Sequence, residues 1–358
     1  IPQVDKTEKA AKSTKTLQPT NPSTQQQTQT HHQDLELAVK YHNAGDYLKA
    51  RGIYQQILEI EPNQFDALHL LGVMAHQRGE NNIALNLIMK ALAIKPDYAE
   101  AHSNLGAVFR ELGQLNDAVM SYQKALAIKP DYAEAYNNLG NAFKQLAQFD
   151  EAVASYQEAV EINPGYAEAH SNLGLVYRDL GKLGEAVDSY RKALAIKPDY
   201  AEVHNNFGNL LRELGRLDEA VVNYQKALTI KPDYAEVHNN LGNAFKELGQ
   251  LDEAVARYHN ALDVKPDYAE AYSNLGNTFL GLGKLDNAVA SYRKALSIKP
   301  YFPEAEKNLL SARLYLPEFS PGELVAENLY FPEKLVQETH QFAENLANTP
   351  TPDRQLRV

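Results

Sequence analysis

A fixed period of 34 residues constrains this chain more than any other feature of its sequence. The period is seen most easily in a proline that closes each block and is followed, in most copies, by Asp-Tyr. A repeat of this length builds stacked units, each in contact only with its neighbours, rather than one globular core. The closing prolines are Pro62, Pro96, Pro130, Pro164, Pro198, Pro232, Pro266 and Pro300.

Each block predicts two amphipathic helices joined by a short turn. In the block from residue 235 to 268, apolar residues recur at helical spacing on both sides of Gly249, which is suited to the left-handed backbone that ends many helices. Pro266 ends the second helix, because a proline inside a helix loses a hydrogen bond and clashes with the preceding turn. The apolar positions are Val237, Leu241, Ala244, Phe245 and Leu248, then Leu251, Ala254, Val255, Tyr258, Ala261 and Leu262.

Two other recurring residues predict local structure. Asp267 and Glu270 have the spacing of a capping box at the start of the next first helix, so we interpret these glutamates as helix-start residues rather than catalytic acids. Gly242 lies inside the first helix, where glycine costs about 1 kcal/mol relative to alanine. We expect it to permit close approach of the paired helix, whose matching small residues are Ala254 and Ala261. The glutamates are Glu100, Glu134, Glu168, Glu202, Glu236 and Glu270.

The order of these residues resembles the tetratricopeptide repeat family. The family's Leu-Gly, aromatic, Gly, Ala, aromatic, Ala and Pro are met here by Leu241-Gly242, Phe245, Gly249, Ala254, Tyr258, Ala261 and Pro266. The resemblance covers residues 31–316. It implies an all-α, right-handed superhelical solenoid of tetratricopeptide helix-turn-helix repeats, and it says almost nothing about biochemical activity.

The period divides the chain into four segments. Residues 1–33 form a polar tail with too few apolar residues to offset the entropy of ordering, so we expect disorder there. Residues 34–302 hold eight repeats, and residues 303–347 are predicted to form capping and linker helices. Residues 348–358 are expected to be an extended linker toward a C-terminal domain that is missing from the sequence.

Composition narrows the possible partners. The net charge of -11 argues against nucleic acid, since nucleic-acid-binding proteins present basic faces. The lack of cysteine excludes a thiolate nucleophile and Cys-based metal sites, and it fits a reducing compartment. No apolar run reaches the roughly 18 residues needed to span a membrane. We therefore predict a cytoplasmic protein that binds neither nucleic acid nor membrane.

A row of asparagines is the strongest candidate for a binding surface. Asparagine is several tenths of a kcal/mol worse than alanine in a helix, so helix stability alone does not explain so many copies. Side-chain amides donate and accept hydrogen bonds at once, which suits the backbone of an extended peptide. The alternative is that the amides bridge neighbouring repeats or were inherited by duplication. The first row is Asn104, Asn138, Asn172, Asn206, Asn240, Asn274 and Asn308; the second row is Asn141, Asn209, Asn243 and Asn277; Asn137, Asn205 and Asn239 flank them.

Histidines near the start of several first helices are predicted to pack between helices rather than to bind metal. Zinc ligands must converge to about 2.0–2.1 Å from one ion, whereas neighbouring helices pack about 8–10 Å apart. Phosphate-loop, dinucleotide-binding, HExxH and nucleophile-elbow signatures are also absent from the sequence. We therefore assign no catalytic residue, metal ligand or cofactor within this chain. The histidines are His102, His170, His204 and His238.

Basic and acidic residues alternate near the end of the first helices. Because their signs alternate, we interpret them as a solvated, mixed-charge rim. The basic residues are Arg110, Lys144, Arg178, Arg212 and Lys246, and the acidic ones are Glu111, Asp179, Glu213 and Glu247.

Three short motifs accompany the asparagine row. They are the opening Ala133 to Gly140, the triplet Asn308-Leu309-Leu310 and the closing phrase Pro352 to Val358. Together they resemble the O-linked N-acetylglucosamine transferases, including the SPINDLY-like branch. In that group the closing phrase begins a two-lobed glycosyltransferase domain, so the resemblance implies that this sequence stops where catalysis would begin. UDP-GlcNAc would then bind to the missing domain, and no catalytic residue is carried over to this chain.

The sequence leaves two functions open, and both take polypeptide segments of other proteins as partners. The first is the substrate-recruiting arm of a protein O-GlcNAc-transferase-like enzyme, in which concave amides hold an extended polypeptide. The second is a stand-alone adaptor or assembly scaffold with no enzyme attached. Weak self-association through the end repeats is a further expectation.

Overall fold

The structure, a computed structural model, describes the backbone of residues 22–314 and the side chains of residues 33–313. Within that range it contains seventeen α-helices and no strand. The predicted fold class, an all-α solenoid of helix-turn-helix repeats, is confirmed. The chain divides into two compact units, the first ending at Ile196 and the second beginning at Lys197.

The first unit contains five helix pairs. Its helices are α1 (Pro22–Asn43), α2 (Tyr47–Ile60), α3 (Phe65–Gln77), α4 (Asn81–Ile94), α5 (Ala99–Glu111), α6 (Leu115–Ile128), α7 (Ala133–Gln145), α8 (Phe149–Ile162), α9 (Ala167–Asp179) and α10 (Leu183–Ile196).

The second unit contains three helix pairs and one further first helix. Its helices are α11 (Ala201–Glu213), α12 (Leu217–Ile230), α13 (Ala235–Glu247), α14 (Leu251–Val264), α15 (Ala269–Gly281), α16 (Leu285–Ile298) and α17 (Pro303–Leu314).

The helices form two layers within each unit. Every even-numbered helix packs against the odd-numbered helix before it in the same repeat, and it also contacts the odd-numbered helix of the next repeat in its unit. Consecutive odd-numbered helices also contact one another, whereas the even-numbered helices of the described range do not. The first helices of each repeat therefore form the tighter, inner layer of each unit.

Helix boundaries follow the local sequence signals. The turn after the first helix holds a residue with positive φ, for example Gly249 at 76°, so the predicted left-handed helix end is confirmed. In the fourth repeat Ala147 occupies this place with a φ of 58° and carries the strain that glycine avoids. None of the helices between residues 22 and 314 is long and apolar enough to cross a membrane.

The glycine inside the first helix is explained by an aromatic ring rather than by small residues on the partner helix. A Cβ added to Gly242 would lie 2.7 Å from the ring of Tyr258, and Gly106, Gly140, Gly174, Gly208 and Gly276 face the equivalent tyrosine in the same way. Ala254 and Ala261 are fully buried, but the close contact with glycine is made by the tyrosine ring. The fully buried tyrosines are Tyr54, Tyr122, Tyr156, Tyr190, Tyr224, Tyr258 and Tyr292.

The predicted N-terminal tail overlaps with a helix in the structure, and most of the predicted C-terminal segments lie outside the described residues. Helix α1 begins at Pro22, inside the segment predicted to be a disordered tail, because a helix whose later turns pack through Ala38 extends at little further cost toward its N-terminus. Proline is well tolerated at such a first helical position. Residues 1–21 and 315–358, including most of the predicted capping segment and the extended linker, lie outside the described residues.

Candidate functional site

All eleven candidate asparagines lie on first helices and are half-buried. Each residue is therefore partly accessible to solvent and partly in contact with protein. Because the first helices contact one another within each unit, the two rows run along the inner layer.

The first row bridges consecutive repeats through its amide nitrogens. Asn172 Nδ2 donates a hydrogen bond of 2.9 Å to Asn137 Oδ1 of the preceding repeat. The second unit repeats this contact at 3.0 Å from Asn240 to Asn205 and again from Asn274 to Asn239. The bridging alternative raised by the sequence therefore describes one half of each of these amides.

At two of these repeat boundaries a glutamate orients the flanking asparagine. Asn137 Nδ2 donates to Glu168 Oε1 at 3.4 Å, and Asn205 Nδ2 donates to Glu236 Oε1 at 3.2 Å. An ionised carboxylate only accepts hydrogen bonds, so it faces the NH2 group of the flanking asparagine and turns its carbonyl oxygen toward the first row. Asn172 and Asn240 of the first row therefore donate from their NH2 groups to that oxygen. Their own carbonyl oxygens accept no hydrogen bond in the described part of the chain.

The second row satisfies the buried tyrosine hydroxyls. Tyr156 donates to Asn141 Oδ1 at 2.8 Å, and Tyr224, Tyr258 and Tyr292 donate in the same way to Asn209, Asn243 and Asn277 at 2.7–2.8 Å. The carbonyl oxygen of each second-row amide is therefore used by the core, and its NH2 group is the part left for other contacts.

The remaining first-row residues differ from one another. Asn104 Nδ2 lies 2.9 Å from Nε2 of the buried His69, and Asn308 Nδ2 donates to Asn277 at 2.8 Å. Asn138 and Asn206 make no side-chain hydrogen bond to any residue that the structure describes. These two amides are consequently the ones with the most hydrogen-bonding capacity left for a ligand.

The histidines of the first helices have a structural role. Nε2 of His170, His204 and His238 lies 2.9–3.1 Å from the carbonyl oxygen of the proline that closes the preceding repeat, and His102 makes the same contact at 2.7 Å. Burial lowers the pKa of His170 and of His238. No cluster of potential metal ligands occurs among the residues described.

The predicted capping boxes are wrong. Helices α13 and α15 are preceded by Tyr234 and Tyr268, and neither helix has a side-chain cap. Asp267 lies one residue too early, and so does the equivalent Asp233 before α13, because the Pro-Asp-Tyr turn is completed before the helix begins. Glu168 and Glu236 instead accept hydrogen bonds from flanking asparagines, and Glu270 pairs with Lys299 of its own repeat at 3.0 Å.

The sequence did not reveal the role of the flanking asparagines. Asn137 and Asn205 are 1% exposed, and each is held by both the glutamate and the first-row asparagine of the following repeat. A signal was present, because this position is always Asn or Ser in the six regular repeats, and both types are small and polar.

Family models match the repeated part of the chain. A model described as "TPR repeat" matches residues 106–147, 140–178, 174–211, 208–249 and 242–283. A second, described as "Tetratricopeptide repeat", matches residues 269–302. The matched segments run from residue 106 to 302, just over half of the chain. A comparison with curated protein sequences gave no significant match.

Several solved structures have a similar fold. A chain of the APC/C hetero-tetramer Cut9-Hcn1 is similar with a TM-score of 0.56 and 20% identity, over 74% of this chain and 52% of that chain. The present chain thus spans about half the length of that relative, and the likeness concerns the fold alone. Pseudomonas aeruginosa pilF has a TM-score of 0.52 and 26% identity, over 58% of this chain and 94% of its own. YrrB, described as a TPR protein with an unusual peptide-binding site, has a TM-score of 0.45 and 25% identity, over 52% and 96%.

Proposed function

The chain belongs to the tetratricopeptide repeat family, and we propose that the inner layer of its repeats binds an extended segment of a partner protein. Stacked repeats of this kind present a continuous surface suited to protein–protein interaction.

One observation carries this proposal: in α13 and α15, the amides of both rows use one end internally and leave the other end without a partner in the described structure. In these two repeats the first row offers carbonyl oxygens and the second row offers NH2 groups. A peptide backbone carries one N–H donor and one C=O acceptor for each residue other than proline. The two rows are therefore suited to hold backbone rather than particular side chains.

The decisive variant changes the two first-row amides that make no internal hydrogen bond. Asn138→Ala combined with Asn206→Ala removes two amides of the inner layer without breaking an internal hydrogen bond. We expect binding of fluorescein-labelled synthetic peptides that lack secondary structure to weaken about fivefold for each position, since a hydrogen bond contributes about 1 kcal/mol. Fluorescence anisotropy measures the affinity, and circular dichroism is expected to show unchanged helicity.

Asparagines on the second helices provide the matched control. Asn86 in α4 and Asn116 in α6 are exposed, and their replacement by alanine removes the same chemical group from the other layer. Peptide affinity is expected to be unaffected by Asn86→Ala and Asn116→Ala. The inner layer is not the binding surface if the wild-type protein binds none of the peptides. The same conclusion follows if the Asn138→Ala/Asn206→Ala variant binds as tightly as the Asn86→Ala/Asn116→Ala variant.

We propose further that this region recruits substrates for an O-GlcNAc-transferase-like glycosyltransferase. The support comes from the sequence motifs, namely the asparagine rows, Asn308-Leu309-Leu310 and the phrase Pro352 to Val358. In such an enzyme UDP-GlcNAc would bind in a following domain, and the repeats would position the acceptor polypeptide.

The coding sequence after Val358 tests this narrower proposal. A glycosyltransferase domain in the same reading frame would support it. A stop codon directly after Val358 would contradict it and leave a stand-alone adaptor or assembly scaffold as the function, without affecting the proposal that the inner layer binds polypeptide.

A further inference from the structure

The second unit contains a charged triad at the end of its first helices. Arg212 of α11 reaches the next repeat and contacts Glu247 of α13, with 3.2 Å between Nη1 and Oε1. Lys246 adjoins Glu247 in the sequence and is half-buried. The pKa of Lys246 is lowered, mainly by burial and also by the charge of Arg212. The carboxylate of Glu247 offsets part of this lowering. The carboxylate thus lies close to two cations from consecutive repeats.

The first unit has the same two cations without the carboxylate. Three periods earlier, Arg110 and Lys144 correspond to Arg212 and Lys246, but Gln145 stands where Glu247 would be. Arg110 bonds instead to Glu111, its neighbour on the same helix, with 3.2 Å between Nη2 and Oε1. Arg212 therefore pairs with a carboxylate of the next repeat, whereas the equivalent Arg110 pairs with a carboxylate of its own helix.

The two cations of the first unit occupy partly buried positions one repeat apart. Only 23% of the Arg110 side chain is exposed. Burial raises the pKa of Tyr156 in the next repeat, and the charge of Arg110 offsets part of that rise. The same charge adds to the effect of burial, which lowers the pKa of Lys144. Burial is the larger cause of the lowered pKa of Lys144, and Asp179 of α9 acts in the opposite direction. A negative charge between the two cations would offset both the burial and their mutual repulsion.

The balance of charge differs between the units at these positions. Helices α5, α7 and α9 contribute Arg110, Lys144 and Arg178 against Glu111 and Asp179, which is one positive charge in excess. Helices α11 and α13 contribute Arg212 and Lys246 against Glu213 and Glu247, which is neutral. The mixed-charge rim predicted from the sequence is therefore balanced in one unit and cationic in the other.

We propose that Arg110 and Lys144 form a subsite for the carboxylate of an aspartate or glutamate side chain on the bound polypeptide. This carboxylate would take the place that Glu247 fills in the second unit. The inference rests on the proposed binding of polypeptide by the inner layer and adds a side-chain preference to a surface that otherwise recognises backbone. Guanidinium and ammonium groups both form charge-assisted hydrogen bonds with carboxylates.

Peptides that differ at one residue test the preference. Three fluorescein-labelled peptides rich in Gly, Ser and Thr carry Glu, Gln or Lys at their centre. We expect the Glu peptide to bind roughly fivefold more tightly than the Gln peptide, the upper range for an ion pair that is partly exposed, and the Lys peptide to bind more weakly than either. Equal affinities for the three peptides would overturn the subsite.

An exchange between the units provides the matched variants. Gln145→Glu places a carboxylate beside Arg110 and Lys144, so the preference for the Glu peptide is expected to disappear. Glu247→Gln opens the equivalent place in the second unit, so the preference is expected to increase. Gln123→Glu adds the same charge on an exposed position of α6 and is expected to leave the preference unchanged. A loss with Gln123→Glu equal to that with Gln145→Glu would show a general charge effect and reject the site.

A direct measurement separates this inference from the proposed function. Sodium acetate is titrated into protein with isotope-labelled lysines, and the Lys144 side-chain NMR signal is identified with the Lys144→Arg variant. We expect a saturable shift of that signal which sodium chloride at equal ionic strength does not reproduce and which Gln145→Glu abolishes. If no peptide binds but acetate does, the proposed function fails while the anion subsite holds. If the Gln peptide binds but acetate causes no specific shift, the subsite fails alone.

Discussion

At the scale of single residues, the same buried tyrosine occurs with and without a hydrogen-bond partner. Tyr156 donates to Asn141, whereas the third repeat has Ala107 at the asparagine position. The Tyr122 hydroxyl is buried there and has no hydrogen-bond partner in the described structure. The second row of asparagines therefore contributes to stability as well as to the proposed surface, because a buried polar group without a partner costs free energy.

Removing the two hydroxyls separately tests this difference. Tyr156→Phe is expected to lower the free energy of unfolding by about 1 kcal/mol, since it leaves the Asn141 carbonyl without its donor. Tyr122→Phe removes a hydroxyl that has no partner, so it is expected to be neutral or stabilising. Urea unfolding, together with amide hydrogen exchange in the third and fourth repeats, measures both effects. Equal losses in the two variants would contradict the assignment of the Tyr156 hydrogen bond.

At the scale of the helix pair, glycine and tyrosine fit together as one packing unit. Gly242 in α13 lies against the ring of Tyr258 in α14, which is fully buried. A Cβ at this glycine would lie only 2.7 Å from the ring, which leaves no room for a methyl group unless the ring moves. This contact explains why a residue that is unfavourable in helices recurs in every regular repeat.

Two glycine-to-alanine variants separate packing from helix propensity. Gly242→Ala gains about 1 kcal/mol of propensity but overpacks the pair at a cost of about 1–3 kcal/mol. We expect a net loss of stability of about 1 kcal/mol. Gly52 lies inside α2 with no atom within 4 Å of an added Cβ, so Gly52→Ala is expected to stabilise by about 0.5–1 kcal/mol. Urea midpoints measure both variants, and a stabilising Gly242→Ala would contradict the packing argument.

At the scale of the whole molecule, the repeated tyrosine makes stability depend on pH. Burial raises the pKa of Tyr54, Tyr122 and Tyr292 to about 12, and it also raises the pKa of Tyr156, Tyr190, Tyr224 and Tyr258. The ordinary value is 10.0. Because the same group is buried in seven of the eight described helix pairs, its individual effects add along the chain.

Stability is therefore expected to fall in alkaline solution. The folded state holds the neutral phenol more tightly than the unfolded state does, so this contribution is complete below about pH 10 and is lost as the pH rises toward 12. Each buried tyrosine then lowers the free energy of unfolding by up to about 1.4 kcal/mol per pH unit. Urea unfolding at a series of pH values measures the decline, and phenolate absorbance should rise together with the loss of helicity. Phenolate formation by the buried tyrosines near pH 10 with helicity intact would contradict this expectation.

The sequence by itself determined the helix pairs, their turns and the asparagine rows. The 34-residue period, the closing prolines and the turn glycines such as Gly249 are local signals. Local backbone preferences are enough to predict from them where the helices end and the turns lie. The prediction of capping boxes was wrong by one residue, although the Asp-x-x-Glu spacing is present. The position at which each helix starts depends on the turn that precedes it.

Only the tertiary structure decided what each recurring residue contacts. Whether Asn172 turns its nitrogen or its oxygen to the neighbouring repeat depends on Asn137 and Glu168, and the space beside Gly242 is occupied by a ring from the partner helix. The pairing of Arg110 with Glu111 on its own helix, and of Arg212 with Glu247 in the following repeat, is likewise visible only in the folded structure. A periodic sequence states which residues recur, whereas contacts between residues about one repeat apart are set by how the helices pack, and no pattern within one repeat contains that information.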